Sequence, residues 1–262
     1  TVTHAVYVLR AQVPQHIIRI CSPQSTTTIV ATDPNIAGVT GVWLTPSAAV
    51  IASPGNDTSA VSGLVSGSYI IYWVVSDGTC SDADQVTVIV DQPVTVNAGA
   101  DQHICATPGT ATMAASSPSP GTGQWSTSSA AIIANTANRN TAVSGMTTPG
   151  AYTFIWTVTN GACVTKDTVV IYADSVIAAN AGTDQQICST SPVATLAGNA
   201  AAPGTGLWTT TSSATITTPS NAGSGVTSLP VGTNSFVWSI TNGVCVRRDT
   251  VLITVSQNVV AN

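Results

Sequence analysis

The sequence predicts an all-β chain made of three β-sandwiches in tandem. Three observations carry this. The composition suits sheets and turns, the clearest local pattern has a period of two, and cysteines and tryptophans recur at a long, regular interval. Charged residues are 6% of the chain and hydrophobic residues 44%. There are eleven Asp and no Glu, and Lys166 is the only lysine. The chain therefore lacks two strong helix formers, while Val, Thr, Ile, Ser and Gly dominate. No stretch shows the apolar period of a helix.

The local pattern is sharpest between Gly150 and Cys163. Tyr152, Phe154, Trp156 and Val158 alternate with Thr153, Ile155, Thr157 and Thr159, which predicts a strand with one buried face. Asn160-Gly161 follows as the expected central pair of a type I′ hairpin turn. Cys163 comes next, and Thr168 to Tyr172 forms the return strand.

The repeat is visible in the spacing. The steps from Cys21 to Cys105 to Cys188 equal those from Cys80 to Cys163 to Cys245 to within a position or two. Trp73, Trp156 and Trp238 each precede the second cysteine of their unit by seven positions, and Trp43, Trp125 and Trp208 keep the same beat. Such periodicity marks a tandem array. Residues 1–9 align with the last strand of a preceding repeat. Residues 10–92, 93–175 and 176–258 are the three repeats, and 259–262 are in phase with the start of a following one. Repeat 1 contains Gly41-Val42-Trp43, the strand Tyr69 to Val75, and a turn at Asp77-Gly78. Repeat 2 opens with Asn97-Ala98-Gly99-Ala100-Asp101-Gln102 and repeat 3 with Asn180-Ala181-Gly182-Thr183-Asp184-Gln185. Gly123-Gln124-Trp125 and Gly206-Leu207-Trp208 follow in register.

Several function classes are excluded or weakened. The net charge is −5 and no basic cluster exists, so nucleic acid is not an expected partner. The longest apolar run, Tyr69 to Val75, has seven residues, far short of the ~20 needed for a spanning helix. His4, His16 and His103 do not recur in register, and no Asp pair shares a repeat position with a His or Ser, so no enzyme is expected.

The pattern Asn-Ala-Gly-x-Asp-Gln-x-Ile-Cys, then Gly-x-Gly-x-Trp, then Gly-x-Tyr-x-Phe-x-Trp-x-Val-x-Asn-Gly-x-Cys, then Asp-Thr-Val resembles the PKD-type, immunoglobulin-like repeats of long Bacteroidota surface and secreted proteins. These include gliding-motility adhesins and other substrates of type IX secretion. The resemblance covers nearly the whole chain and is strongest in repeats 2 and 3. Repeat 1 has Val13-Pro14-Gln15-His16-Ile17-Ile18 where the others have the Asn-Ala-Gly opening. The resemblance implies an immunoglobulin/PKD-like sandwich per repeat, an extracellular or bacterial cell-surface location, and a structural or adhesive role without catalytic residues.

The cysteines are expected to pair within repeats, as Cys21–Cys80, Cys105–Cys163 and Cys188–Cys245. This assumes that the first cysteine, after the opening strand, lies at the same end of the sandwich as the hairpin. An oxidising compartment is implied. The six tryptophans are expected in the cores. Asp91, Asn97 and Asp101, and likewise Asp174, Asn180 and Asp184, are candidate calcium ligands at the junctions, with Asx turns as the plainer reading; otherwise no cofactor is expected. Asn56-Asp57-Thr58 is a glycosylation sequon, and Thr168, Ser175 and Thr250 lie in short Asp-Ser/Thr-apolar motifs used for O-glycosylation in the bacteria the resemblance points to. The outer face of repeat 1, with Ile70, Tyr72 and Val74, is more apolar than in its copies.

The expected function is a rod-like stalk or filament at the cell surface. Expected partners are neighbouring repeats of the same chain, other copies in a filament, or a surface glycan or protein. The alternatives are a glycan- or protein-binding module, a filament subunit assembled by strand exchange through its N-terminal strand, and an accessory region of an enzyme.

Overall fold

The computed structural model describes residues 7–188 and 191–256. Among these the chain is all β, with seven strands in each repeat. Repeat 1 has β1 (Ile17–Cys21), β2 (Thr27–Val30), β3 (Thr40–Leu44), β4 (Val50–Ile51), β5 (Thr58–Ser62), β6 (Gly67–Ser76) and β7 (Ser81–Asp91). Repeat 2 has β8 (Gln102–Cys105), β9 (Ala111–Thr112), β10 (Thr122–Thr127), β11 (Ile132–Ile133), β12 (Ala142–Ser144), β13 (Gly150–Asn160) and β14 (Cys163–Asp174). Repeat 3 has β15 (Gln185–Cys188), β16 (Ala194–Thr195), β17 (Thr205–Thr210), β18 (Thr215–Ile216), β19 (Gly225–Thr227), β20 (Gly232–Asn242) and β21 (Cys245–Ser256).

Each repeat folds into a four-stranded and a three-stranded sheet. The orders are β1-β7-β6-β3 with β2-β5-β4, β10-β13-β14-β8 with β11-β12-β9, and β15-β21-β20-β17 with β16-β19-β18. This is the immunoglobulin-like two-sheet sandwich. By proximity the residues group into two compact units, one of 1–97, 115–124 and 156–167, the other of 98–114, 125–155 and 168–262. Of the segment 1–9, residues 1–6 lie outside the described residues, and 7–9 carry no strand. Residues 259–262 also lie outside them.

The opening strand of each repeat pairs in parallel with the closing one. Ile17 to Cys21 run alongside Thr87 to Asp91, Gln102 to Cys105 alongside Ile171 to Asp174, and Gln185 to Cys188 alongside Ile253 to Ser256. The first cysteine of a repeat is therefore level with the last residue of its closing strand.

The alternating residues fill the cores. All six tryptophans are at most 2% exposed. Trp43 tilts against Trp73 and Trp208 against Trp238, with ring centroids 5.1 and 5.0 Å apart. The Gly-x-Trp motif has a packing cause, because a Cβ on Gly41, Gly123 or Gly206 would occupy the ring of Trp73, Trp156 or Trp238. Repeat 3 carries Asn234 where repeats 1 and 2 carry Tyr69 and Tyr152, and all three reach a carbonyl four residues back. Tyr69 Oη donates to Val65 O, Tyr152 Oη to Thr148 O, and Asn234 Nδ2 to Pro230 O.

The hairpin turn differs from the expected type I′. Asn242 pairs with Cys245, so the two loop residues are Gly243-Val244, one position later than Asn-Gly. Gly243 has φ +56°, while neither Asn242 nor Val244 has a positive φ. Glycine first and an ordinary residue second is the type II′ arrangement. It frees the asparagine side chain from turn duty.

Candidate functional site

The best-built polar sites are the bridged ends of the repeats, and they overturn the expected disulfides. Cys21 joins Cys163 and Cys105 joins Cys245, with Cα atoms 4.9 and 5.4 Å apart. The pairs Cys21–Cys80, Cys105–Cys163 and Cys188–Cys245 are not formed; Cys80 is an exposed free thiol. The reason is the parallel opening strand. Cys21 sits beside Asp91 at the end of β7, whereas Cys80 precedes Ser81 at its start. The length of β7 lies between those levels, about 33 Å. No bridge can span that, because disulfide Cα atoms lie within about 7 Å. Cys21 instead meets the cysteine that opens β14 in the next repeat.

An acidic side chain braces each bridge. Asp91 Oδ1 accepts from Arg19 Nη1 at 2.7 Å, and Asp91 Oδ2 accepts from the Ala162 amide at 2.8 Å. The aspartate side chain is only 9% exposed, while Arg19 is 47% exposed, so the ion pair sits at the surface with its carboxylate tucked in. Charge-assisted bonds of this kind are the stronger ones. Asn160 Nδ2 donates to Gln92 O at 2.9 Å, and Thr165 Oγ1 to Val94 O at 2.9 Å. Cys163 Sγ lies 3.4 Å from Asp91 O. Between Cys105 and Cys245 the pattern repeats. The Val244 amide donates to Asp174 Oδ2 at 3.2 Å, and Asn242 Nδ2 donates to Ser175 O at 2.9 Å and to Ser175 Oγ at 2.8 Å. His103, in the place of Arg19, lies 3.5 Å from Asp174 Oδ2 and stacks on Tyr172.

The glycine of the turn has a second cause here. A Cβ on Gly161 would overlap the Asp91 carboxylate, and one on Gly243 would overlap that of Asp174. The Asn-Gly-x-Cys motif is thus a docking motif: a donor amide, a glycine that admits a carboxylate, a backbone N–H that binds it, and a bridging thiol.

The candidate calcium ligands are occupied differently. Asp174 binds the Val244 amide and Asp184 Oδ1 the Leu252 amide. These amides are eight positions apart in nearly continuous strand, about 25 Å, so the two carboxylates do not gather at one ion. Asn180 Oδ1 accepts from the Gly182 amide two residues on, an Asx turn. Asp101 Oδ1 accepts from the Val170 amide, and the Asn97 amide donates to Ser116 Oγ. Among the described residues no group of three or more His, Cys or Asp side chains is placed to hold a metal ion.

The recurring Asp of Asp-Thr-Val has a structural task. Asp249 Oδ2 accepts from the Ala181 amide at 2.8 Å, and Asp84 Oδ2 holds the Val13 amide in the same way. The bond from Ala181 holds the Asp249 carboxyl below its ordinary range, helped by the Thr250 amide. Asn56, Thr168 and Thr250 are exposed at bend and strand positions, and Ser175 is half-buried. On the outer face of repeat 1, Ile70 and Tyr72 are exposed and Val74 is half-buried. The buried tryptophans offer no stacking surface for a sugar.

A scan against protein families finds no match, and neither does a search of curated proteins. Solved structures give likenesses at low identity. The I-band fragment I67-I69 from titin is 10% identical over 95% of this chain and 100% of that one, with a TM-score of 0.48. Extracellular domains 3-5 of Drosophila OTK are 11% identical over 94% and 97%, with a TM-score of 0.40. The PKD domain from the KIAA 1837 protein is 17% identical over 37% of this chain and 100% of that one, with a TM-score of 0.29.

Proposed function

We propose that the chain is a structural and adhesive stretch of an extracellular repeat protein, with sandwiches at 10–92, 93–175 and 176–258 arranged as a rod-like stalk or filament at a cell surface. The observation that supports this best is the placement of the disulfides. Each bridge ties one repeat to the next, and each is braced by a carboxylate and an asparagine amide. Such bonding restrains the joint. Disulfides also belong to oxidising compartments. The motif resemblance supports a surface or secreted protein of the Bacteroidota exported by type IX secretion, with glycans at Asn56, Thr168, Ser175 and Thr250 aiding the solubility of so uncharged a chain.

Small-angle scattering of the oxidised chain tests the reading. An elongated particle with the cross-section of one sandwich is expected. A compact, folded-back particle would overturn it.

A further inference from the structure

The two bridges are crossed in sequence: Cys105 lies inside the loop that Cys21–Cys163 closes, and Cys245 lies outside it. We infer that this crossing puts a covalent ceiling on how far the chain can be drawn out, whatever the strength of its sandwiches. The inference deepens the stalk reading and takes its biological use from it, while its physics needs only the connectivity.

Without bridges, tension between Cys21 and Cys245 would be carried by all the backbone from one to the other. With both bridges closed, the shortest covalent route crosses from Cys21 to Cys163, runs backwards to Cys105, and crosses to Cys245. The only backbone in that route is the stretch 105–163. Residues 22–104 and 164–244 hang off it as slack that tension cannot draw straight. Cys21–Cys163 alone would leave the stretch 163–245 in the path, and Cys105–Cys245 alone the stretch 21–105. Both are longer than 105–163, so each bridge shortens what the other leaves. Bridges kept inside repeats would have no such crossing. They would leave every inter-repeat segment in series.

The loaded segment is well placed to resist. Tension reaches repeat 2 at Cys163, the first residue of β14, and leaves at Cys105, the last residue of β8. These strands are parallel neighbours, with Cys105 level with Asp174. Opposed forces at those two ends shear the ladder, loading its hydrogen bonds together instead of one at a time. Reduction removes the ceiling. A dithiol gives two electrons and two protons to each bridge, leaving two cysteine thiols and closing to its own cyclic disulfide.

Single-molecule pulling of the full chain by its termini tests this, using Cys80→Ser/Cys188→Ser so that neither of those two thiols can form a bridge or exchange with one. The oxidised variant should never exceed a contour length of about 350 Å, and dithiothreitol should raise this more than twofold, to about 900 Å. An oxidised variant that extends to about 700 Å, the length left if Cys105–Cys163 were the only bridge, would overturn the inference. A ceiling in a chain that scattering finds compact sinks the stalk reading alone. A rod without the ceiling sinks only the crossed-bridge inference.

Discussion

The hairpin tip of repeat 1 and those of repeats 2 and 3 share a sequence pattern and use it differently. In repeats 2 and 3 the tip reaches outward. Asn160 and Asn242 donate to the preceding segment, the Ala162 and Val244 amides take its carboxylate, and Cys163 and Cys245 are bridged and at most 2% exposed. In repeat 1 the asparagine position is Asp77, and its carboxylate accepts from its own turn and from Tyr7 of the preceding segment. Asp77 Oδ1 accepts from its own Thr79 and Cys80 amides at 2.8 and 2.7 Å, and Asp77 Oδ2 accepts from Tyr7 Oη at 3.0 Å. The ladder stops one rung earlier, at Ser76 with Ser81, and Cys80 stays in the loop as an exposed thiol. A carboxylate has no proton to offer a carbonyl, so Asp77 collects two amides and a hydroxyl where Asn160 and Asn242 donate.

Three changes would break or sharpen that contrast. The largest effect belongs to Cys21→Ser/Cys163→Ser, which opens a loop of sequence separation 142. The chain-entropy model puts the loss at about 5 kcal/mol, read by chemical denaturation of the oxidised chain. An unchanged midpoint would mean that the bridge adds nothing to the braced junction. A smaller effect is expected for Asn160→Asp, which converts an outward tip to the repeat 1 type. It removes the bond to Gln92 O and sets a second carboxylate near Asp91, at a cost of about 1–2 kcal/mol. Amide exchange at Ala162 should quicken, and equal protection in the two forms would refute the role given to the asparagine.

The smallest effect is acid sensitivity of the repeat 1 tip. The Cys80 amide first, then the Thr79 amide and the Tyr7 hydroxyl, hold the Asp77 carboxyl below its ordinary range. A depressed folded value stabilises the tip above the unfolded value, and that stability is lost as pH falls through the folded one, from around pH 4 downward. Carbon-detected NMR titration should find Asp77 still ionised where an exposed aspartate has protonated. Tyr7→Phe should return it part of the way, and an ordinary titration in the unaltered chain would count against the acceptor role given to Asp77.

Much of the architecture was legible locally. The alternation through Trp73, Trp156 and Trp238 names the buried face, because a strand's side chains point alternately to opposite sides. The spacing of cysteines and tryptophans names the number of repeats. Asn234 at the tyrosine position keeps a bond to a carbonyl four residues back, so a mismatch in the motif hid a match in geometry. The bridges were not legible, since the cysteine spacing is the same for pairing within or between repeats. Whether Cys21 faces Cys80 or Cys163 depends on the direction of a short opening strand. Ile17 to Cys21 would satisfy the same burial pattern parallel or antiparallel to β7.

What the sequence determined alone is therefore the set of elements and their inward faces, which follow from periodicity and from glycine and asparagine chemistry at turns. The tertiary structure decided the partners: a parallel strand carried each first cysteine to the far end of its own sandwich. There the Asp91 and Asp174 carboxylates and the turn glycines of the following repeat complete the junction. Direction and distance between strands are long-range properties, and no local pattern in Cys21 or Cys163 records them.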